Sequence, residues 1–169
     1  NKDFKNLFDE DLEINKNSIN VQIDTDLEIL FPDNYINNIK ERLKLYKQLS
    51  EINSNNELTE FRNNLIDRFG KMPLQSIDLL KTVELKWQAQ DLGFEKIVLK
   101  NNKMICQFIS DKENPFYQSE SFQKTLMTIH QNKDMCEVKE KKLNDKNVLL
   151  LIFKKINTIS SGIEKLKIF

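Results

Sequence analysis

Glycine, proline, cysteine and histidine are all scarce in this chain of 169 residues, which has three, three, two and one of them. With glycine only at Gly70, Gly93 and Gly162, neither a phosphate-cradling P-loop nor a GxGxxG dinucleotide fingerprint can be written on it. A lone histidine, His130, removes the usual zinc sites, the Ser-His triads and most general-base schemes. Cys106 and Cys136 lack zinc-ligand spacing and stand in strand-like apolar contexts, which predicts buried reduced thiols rather than a disulfide or a metal pair. No HExxH or DxDxDG run occurs. No apolar run approaches the roughly 18 residues that a membrane span needs. The chain opens on Asn without a signal-peptide pattern, which predicts a piece of a longer protein.

What is present reads as a folded domain. Hydrophobic residues at 39% and charged residues at 31% fit a globular core with a charged surface and exclude a mostly disordered chain. The length suits one domain with an appended arm, large enough to bury a core without metal or disulfide help. Formal net charge is zero, yet residues 1–36 hold nine Asp/Glu against three Lys, and residues from Lys139 onward hold eight Lys against three acids. That balance argues against a generic polyanion binder. The Lys-rich end reads first as a solvated surface and second as a local basic face.

The best-specified stretch is residues 57–97, ELTEFRNNLIDRFGKMPLQSIDLLKTVELKWQAQDLGFEKI. Leu58, Phe61, Leu65 and Phe69 recur at helical spacing. Gly70 follows where a helix closes in the left-handed conformation, and Pro73 suits the first turn of the next helix. Ile77, Leu80, Val83 and Trp87 mark that helix's apolar stripe, and Gly93 ends it. Asp67 and Arg68 fall in the last turn of the first helix, where the dipole favours Arg68 and opposes Asp67 by about 0.3–1 kcal/mol. Asp67 therefore either pairs with a neighbouring base such as Arg42, faces water, or faces a basic surface on a partner.

Taken in order, residues 1–20 form an acidic, Asn-rich arm, with helical turns around Phe4, Leu7 and Phe8 and a solvated cluster of Asp9, Glu10, Asp11 and Glu13. Val21, Ile23, Thr25, Leu27 and Ile29 alternate as a strand that Phe31-Pro32-Asp33 ends. Asp33 can cap a helix marked by Ile36, Ile39, Leu43, Tyr46 and Leu49, and a polar loop at 53–56 makes this helix and the next an antiparallel hairpin. The third helix would lie across them. Beyond Gly93 the period becomes two. Residues 96–99 and 104–109 read as a β-hairpin around Asn101 and Asn102. Next come a helix over 121–131 with Phe122, Leu126 and Ile129 inward, strands over 136–140 and 148–153, and a closing helix capped by Ser160 or Ser161 with Ile163, Leu166 and Phe169 inward. The predicted fold class is α+β, an N-terminal helical part with three main helices followed by a small ββαββα sheet-and-helix part. Phe116 and Tyr117, in the loop NPFYQ, either cover the sheet edge or offer a small stacking surface. No catalytic, cofactor or metal residues stand out, and the residues alone predict a non-enzymatic interaction domain.

The motifs also carry a resemblance. PDNYINNIKERLKLYKQL, LIDRFGKMP and LLKTVELKWQAQDLGFEKI resemble the C-terminal domain of the bacterial transcription-repair coupling factors. The family's P-x-x-Y-I segment and R-L-x-x-Y match Pro32, Tyr35, Ile36, Arg42, Leu43 and Tyr46. Its D-R-F-G-x-x-P turn matches Asp67, Arg68, Phe69, Gly70 and Pro73, and its LG-[IF] helix end matches Leu92, Gly93 and Phe94. The match is firm over residues 21–97 and loose beyond.

The resemblance implies that residues 1–20 link to a preceding motor and that residues 21–169 are the C-terminal domain. The parent would be a cytoplasmic ATP-dependent DNA translocase, with ATP, magnesium and DNA bound elsewhere in it, no cofactor in this domain and no membrane contact. In the family this domain packs on an N-terminal UvrB-like module and masks the surface that recruits UvrA until RNA polymerase is engaged. Dipole and spacing then place the candidate partner-binding residues at Asp67, with Asn64 and Glu60 behind it on the same helix, and Arg68 beside it. The rival reading is a nucleic-acid-binding module acting through the Lys-rich residues 139–167.

Overall fold

A computed structural model describes residues 19–169, so the expectations for the arm around Phe4, Leu7 and Phe8 and for the cluster from Asp9 to Glu13 lie outside the described residues. The elements run β1 (Gln22–Thr25), α1 (Ile39–Ser50), α2 (Asn55–Phe69), α3 (Leu74–Leu92), β2 (Phe94–Lys100), β3 (Lys103–Phe108), a 3-10 turn (Pro115–Gln118), α4 (Glu120–Gln131), β4 (Cys136–Leu143), β5 (Lys146–Lys154) and α5 (Ile159–Leu166). This is the α+β class expected. The described residues group into two units, Glu28–Thr82 and residues 19–27 with Val83–Phe169.

In the first unit, α1 starts later than the apolar spacing suggests. The Tyr35 and Ile36 N–H groups both donate to the Pro32 carbonyl at 3.0 Å and close a turn. Arg42 holds the Asp33 carboxylate at 3.1 Å, so the cap is Asn38, whose side chain accepts from the Glu41 N–H at 3.0 Å. This phase turns Ile39, 64% exposed, and Leu43, 44% exposed, outward and brings in Leu45, while Ile36, in the preceding turn, and Leu49 are buried as expected. Ser54 caps α2 by accepting from the Glu57 N–H, and α2 buries Leu58, Phe61 and Leu65 as its spacing predicts. Arg68 at the end of α2 bonds Glu41 at the start of α1, consistent with the expected antiparallel pair.

α3 differs from its predicted stripe. Ser76, Leu79, Leu80, Thr82, Val83, Leu85, Ala89 and Leu92 are buried, which places enclosed residues all round the helix, whereas Ile77 and Trp87 are only half-buried. A helix enclosed on several sides needs no single apolar face. The two buried hydroxyls are satisfied, Ser76 donating to the distant Leu30 carbonyl and Thr82 to the Asp78 carbonyl one turn back.

The second unit is built on a five-stranded sheet ordered β1-β2-β3-β5-β4. β1 runs parallel to β2 and every other pairing is antiparallel. The strand expected over 21–29 pairs only as far as Thr25, because the Thr25 hydroxyl donates to the Leu99 carbonyl at 2.8 Å and accepts from the Leu27 N–H at 3.1 Å, ending the ladder. Both hairpins turn on two residues at positive φ, Asn101 and Asn102 (53° and 61°) and Asn144 and Asp145 (47° and 65°), the geometry that matches strand twist. β5 lies between β3 and β4, the interior place its apolar run predicts.

Alternation gives the sheet two faces. Ile97, Leu99, Met104, Cys106, Leu151 and Phe153 point to one face and are buried. Helices cover that side, with the Phe122 ring of α4 edge-on to Phe108 and Gly162 of α5 over Met104. α4 buries Phe122, Thr125 and Ile129, while Leu126, expected inward, is 36% exposed because the inward stripe runs through Thr125. Thr158, not Ser160 or Ser161, caps α5, with Ser161 completing a reciprocal capping box. Cys106 and Cys136 are free and buried, as expected.

Gly93 joins α3 to β2 at φ +77°, and a Cβ there would lie 2.3 Å from the Phe116 ring. Strain and collision act together, so Gly93→Ala should destabilise the protein by at least about 1–3 kcal/mol, read as a clearly lowered thermal midpoint. A midpoint equal to wild type would show that Phe116 moves aside without loss.

Candidate functional site

Two distant segments meet in the first unit. The Tyr35 hydroxyl donates to the Gly70 carbonyl at 2.9 Å and lies 3.3 Å from the Leu65 carbonyl, while its ring meets Phe69 edge-on at 5.9 Å. Gly70 takes φ +83° and ψ −163°. This is not the left-handed helical closure expected from sequence but a more extended conformation that is essentially restricted to glycine. Its N–H still donates to the Ile66 carbonyl at 2.9 Å, finishing α2. Pro73 stands just before α3, and its carbonyl accepts from the Ser76 and Ile77 N–H groups.

The second tie is made by Tyr46. Its hydroxyl accepts from the Phe31 N–H at 2.8 Å, and the two rings stack with centroids 4.9 Å apart. Arg42 adds a bond to the Ile36 carbonyl at 2.7 Å besides its Asp33 pair. Tyr35, Arg42, Tyr46, Phe69, Gly70 and Pro73 are thus scaffold, holding the ends of α1, α2 and α3. Sequence spacing could not pair Tyr35 with Gly70, since 35 positions separate them.

The candidate partner residues fall into two groups. Arg68 is engaged internally, bonded to Glu41 and lying 4.8 Å over the Phe69 ring. Glu60, Asn64 and Asp67 are exposed at spacings of four and three along α2, so they share one edge of that helix. Arg42 is committed to Asp33, and Asp67 forms no salt bridge among the described residues. Glu60 and Asn64 also border an open hollow with Gln48, Glu51, Glu57 and Phe61, where the end of α1 meets the start of α2. Such an edge offers carboxylate and amide oxygens to a cationic surface. Among the described residues no group of three or more His, Cys, Asp or Glu could hold a metal ion. No helix among them is long and apolar enough to cross a membrane.

Phe116 and Tyr117 form part of an aromatic cluster. Both rings meet Phe122, at 5.4 and 5.0 Å, and the Tyr117 hydroxyl donates to the Ile109 carbonyl. That packing agrees with covering the sheet rather than with a free stacking surface.

The family model described as the TRCF domain matches residues 25–119. The transcription-repair-coupling factor of Escherichia coli (strain K12) is 37% identical over 76 residues, which is 45% of this chain and 7% of that protein. The transcription-repair-coupling factor of Rickettsia conorii is 29% identical over 133 residues, 76% of this chain and 11% of that protein. The chain therefore spans only a small part of the length of these relatives. Its fold is similar to a crystal structure of the C-terminal domain of transcription-repair coupling factor, with TM-score 0.63 and 19% identity over 89% of this chain and 95% of that one.

The scaffold has a titration signature. Burial raises the Tyr46 phenol above its ordinary 10.0, against smaller lowering influences from the Phe31 N–H and the Arg42 charge. A phenol whose folded value is raised contributes stability that is complete below pH 10 and declines as the unfolded chain ionises above it. Tyr46→Phe should leave the Phe31 N–H without its partner and cost about 1–3 kcal/mol at neutral pH. It should also flatten the loss of stability between neutral and strongly alkaline pH. Denaturant unfolding at several pH values checks both, and an unchanged alkaline slope would remove Tyr46 as a contributor.

Proposed function

The chain belongs to the TRCF domain family, and we propose that it serves as the C-terminal regulatory domain of an ATP-dependent DNA translocase that couples transcription to nucleotide excision repair. In this reading it is non-catalytic and masks the UvrA-recruiting surface of an N-terminal UvrB-like module in the same protein. Engagement of RNA polymerase releases the mask. The observation that carries the reading is the edge of Glu60, Asn64 and Asp67, exposed on a helix whose end is pinned by Tyr35 and by the Arg68–Glu41 pair.

The physics suits a reversible gate. A tethered domain acts at high effective concentration, so a modest contact keeps a site covered. Shifting a two-state equilibrium from almost open to almost closed takes only about 5.5 kcal/mol of differential binding. Polar contacts reach that range and can still be exchanged for water when the domain leaves, whereas a broad apolar interface would expose itself on opening.

Titrating UvrA onto the full-length factor, with and without residues 21–169 at fixed salt, tests the proposal. Deletion should tighten UvrA binding, and Asp67→Arg in the intact factor should do so in part while the thermal midpoint stays near wild type. Unchanged UvrA affinity after deletion would end the masking role. DNA binding through the exposed Lys139, Lys141, Lys142 and Lys146 would then be tested by its dependence on salt.

A further inference from the structure

The sheet of the second unit has a second face, closed over Val148 and Leu150 of β5 and half-open across β2, β3 and the end of β5. Strand registers align Val98, Ile105 and Ile152 in one row across β2, β3 and β5, and all three are half-buried while their neighbours on the opposite face are fully buried. Asp24 and Glu137 stand at the two ends of this row. A second row, on the same side, is Lys100, Lys103 and Lys154, each directly opposite the next. A third runs Lys96, Gln107, Leu150 and Lys139, with an amide and a buried leucine between its two lysines. Three aliphatic side chains therefore lie beside one row of three ammonium groups, with Lys96 and Lys139 at the far ends of the next row.

The charges on this face are not balanced from within. Asp24 pairs with Lys100 at 2.9 Å, and Glu137 pairs with Lys139 at 3.1 Å while also attracting Lys154 and Lys103, so these two acids face five lysines. Lys96, Lys103 and Lys154 form no salt bridge among the described residues. Like charges directly opposite on paired strands are destabilising, so the Lys100–Lys103–Lys154 row works against the isolated domain. Lysines often blunt a sheet edge, but these lie on inner strands, where no edge needs protection.

We propose that this face is a docking surface for an acidic protein segment carrying apolar side chains. Carboxylates would meet the Lys100–Lys103–Lys154 row, and apolar side chains would cover Val98, Ile105 and Ile152. A nucleic acid fits less well, because base recognition on a sheet uses aromatic platforms and this face has none in its rows. This face belongs to the second unit, and its role stands whether or not the α2 edge masks a repair site.

A labelled peptide with the sequence of residues 3–14, DFKNLFDEDLEI, has five acids and five apolar residues and serves as the probe. Its binding is read by fluorescence anisotropy on the 169-residue chain with its own Asp3, Asp9, Glu10, Asp11 and Glu13 replaced by the amides, so that the tethered copy does not compete. A control peptide has each Asp and Glu replaced by the amide. Saturable binding of the acidic peptide is expected, with the control weaker by at least tenfold. Lys103→Glu, which sets a carboxylate opposite Lys154, should raise the thermal midpoint of the free chain and yet weaken the peptide at least tenfold. Ile105→Ser should weaken it as well, through the apolar row. Absence of saturable binding, or equal binding to wild type and Lys103→Glu, overturns the proposal. Tighter binding of a single-stranded oligothymidine of matched charge also overturns it, assigning the face to nucleic acid.

Discussion

The backbone at Gly93 is the constraint on which the second unit rests. α3 must end and β2 begin there, at a positive φ and with the Phe116 ring where any side chain would project. The Gly93 carbonyl also accepts from the Ile109 N–H at 3.1 Å, fastening the end of β3 beside the start of β2. Phe116 then brings Tyr117 and Phe122 together, and Phe122 reaches Phe108, which pairs with Phe94. One glycine without a Cβ thus lets a loop aromatic link the 3-10 turn, α4 and two strands. Aromatic pairs of this kind add about 0.5–1.5 kcal/mol each beyond the area they bury.

The first unit achieves a similar result with hydroxyls. Tyr35 and Tyr46 each bury part of a ring and spend the polar end on a backbone group distant in sequence, the Gly70 carbonyl and the Phe31 N–H. Each tyrosine ties a turn to a helix, and Tyr46 also gives the part-buried Phe31 N–H the partner it would otherwise lack at a cost. Arg42 and Arg68 do the same for carbonyl and carboxylate groups. The consequence for function is a sorting of the polar residues. Tyr35, Arg42, Tyr46 and Arg68 are occupied by scaffolding, whereas Asp67 of the same motifs faces solvent together with Glu60 and Asn64.

Much of this was legible before any coordinates. The α2 stripe, the breaks at Gly70 and Gly93, the Asn101–Asn102 hairpin and the interior position of β5 all follow from local spacing and turn chemistry. Errors arose where competing caps or faces were close in strength. Asp33 is as good a cap by type as Asn38, but Arg42 takes its carboxylate. Ser160 and Ser161 fit the cap pattern, but Thr158 makes the reciprocal pair. Ile39 and Leu43 fit a helical stripe drawn from Ile36, yet Ile36 lies in the preceding turn and the helix begins in another phase.

Sequence alone determined the element types, their order, the sites where glycine is required and the family, because those depend on spacings of a few residues and on motifs held in a fixed order. Tertiary structure alone decided that Tyr35 reaches Gly70, that Phe116 packs on Gly93, that β1 adds parallel to β2, and that lysines from three strands align in one row. Each of these joins residues separated by loops or whole elements. Such contacts are selected by register and by closure of the intervening chain, and no short window of sequence contains either.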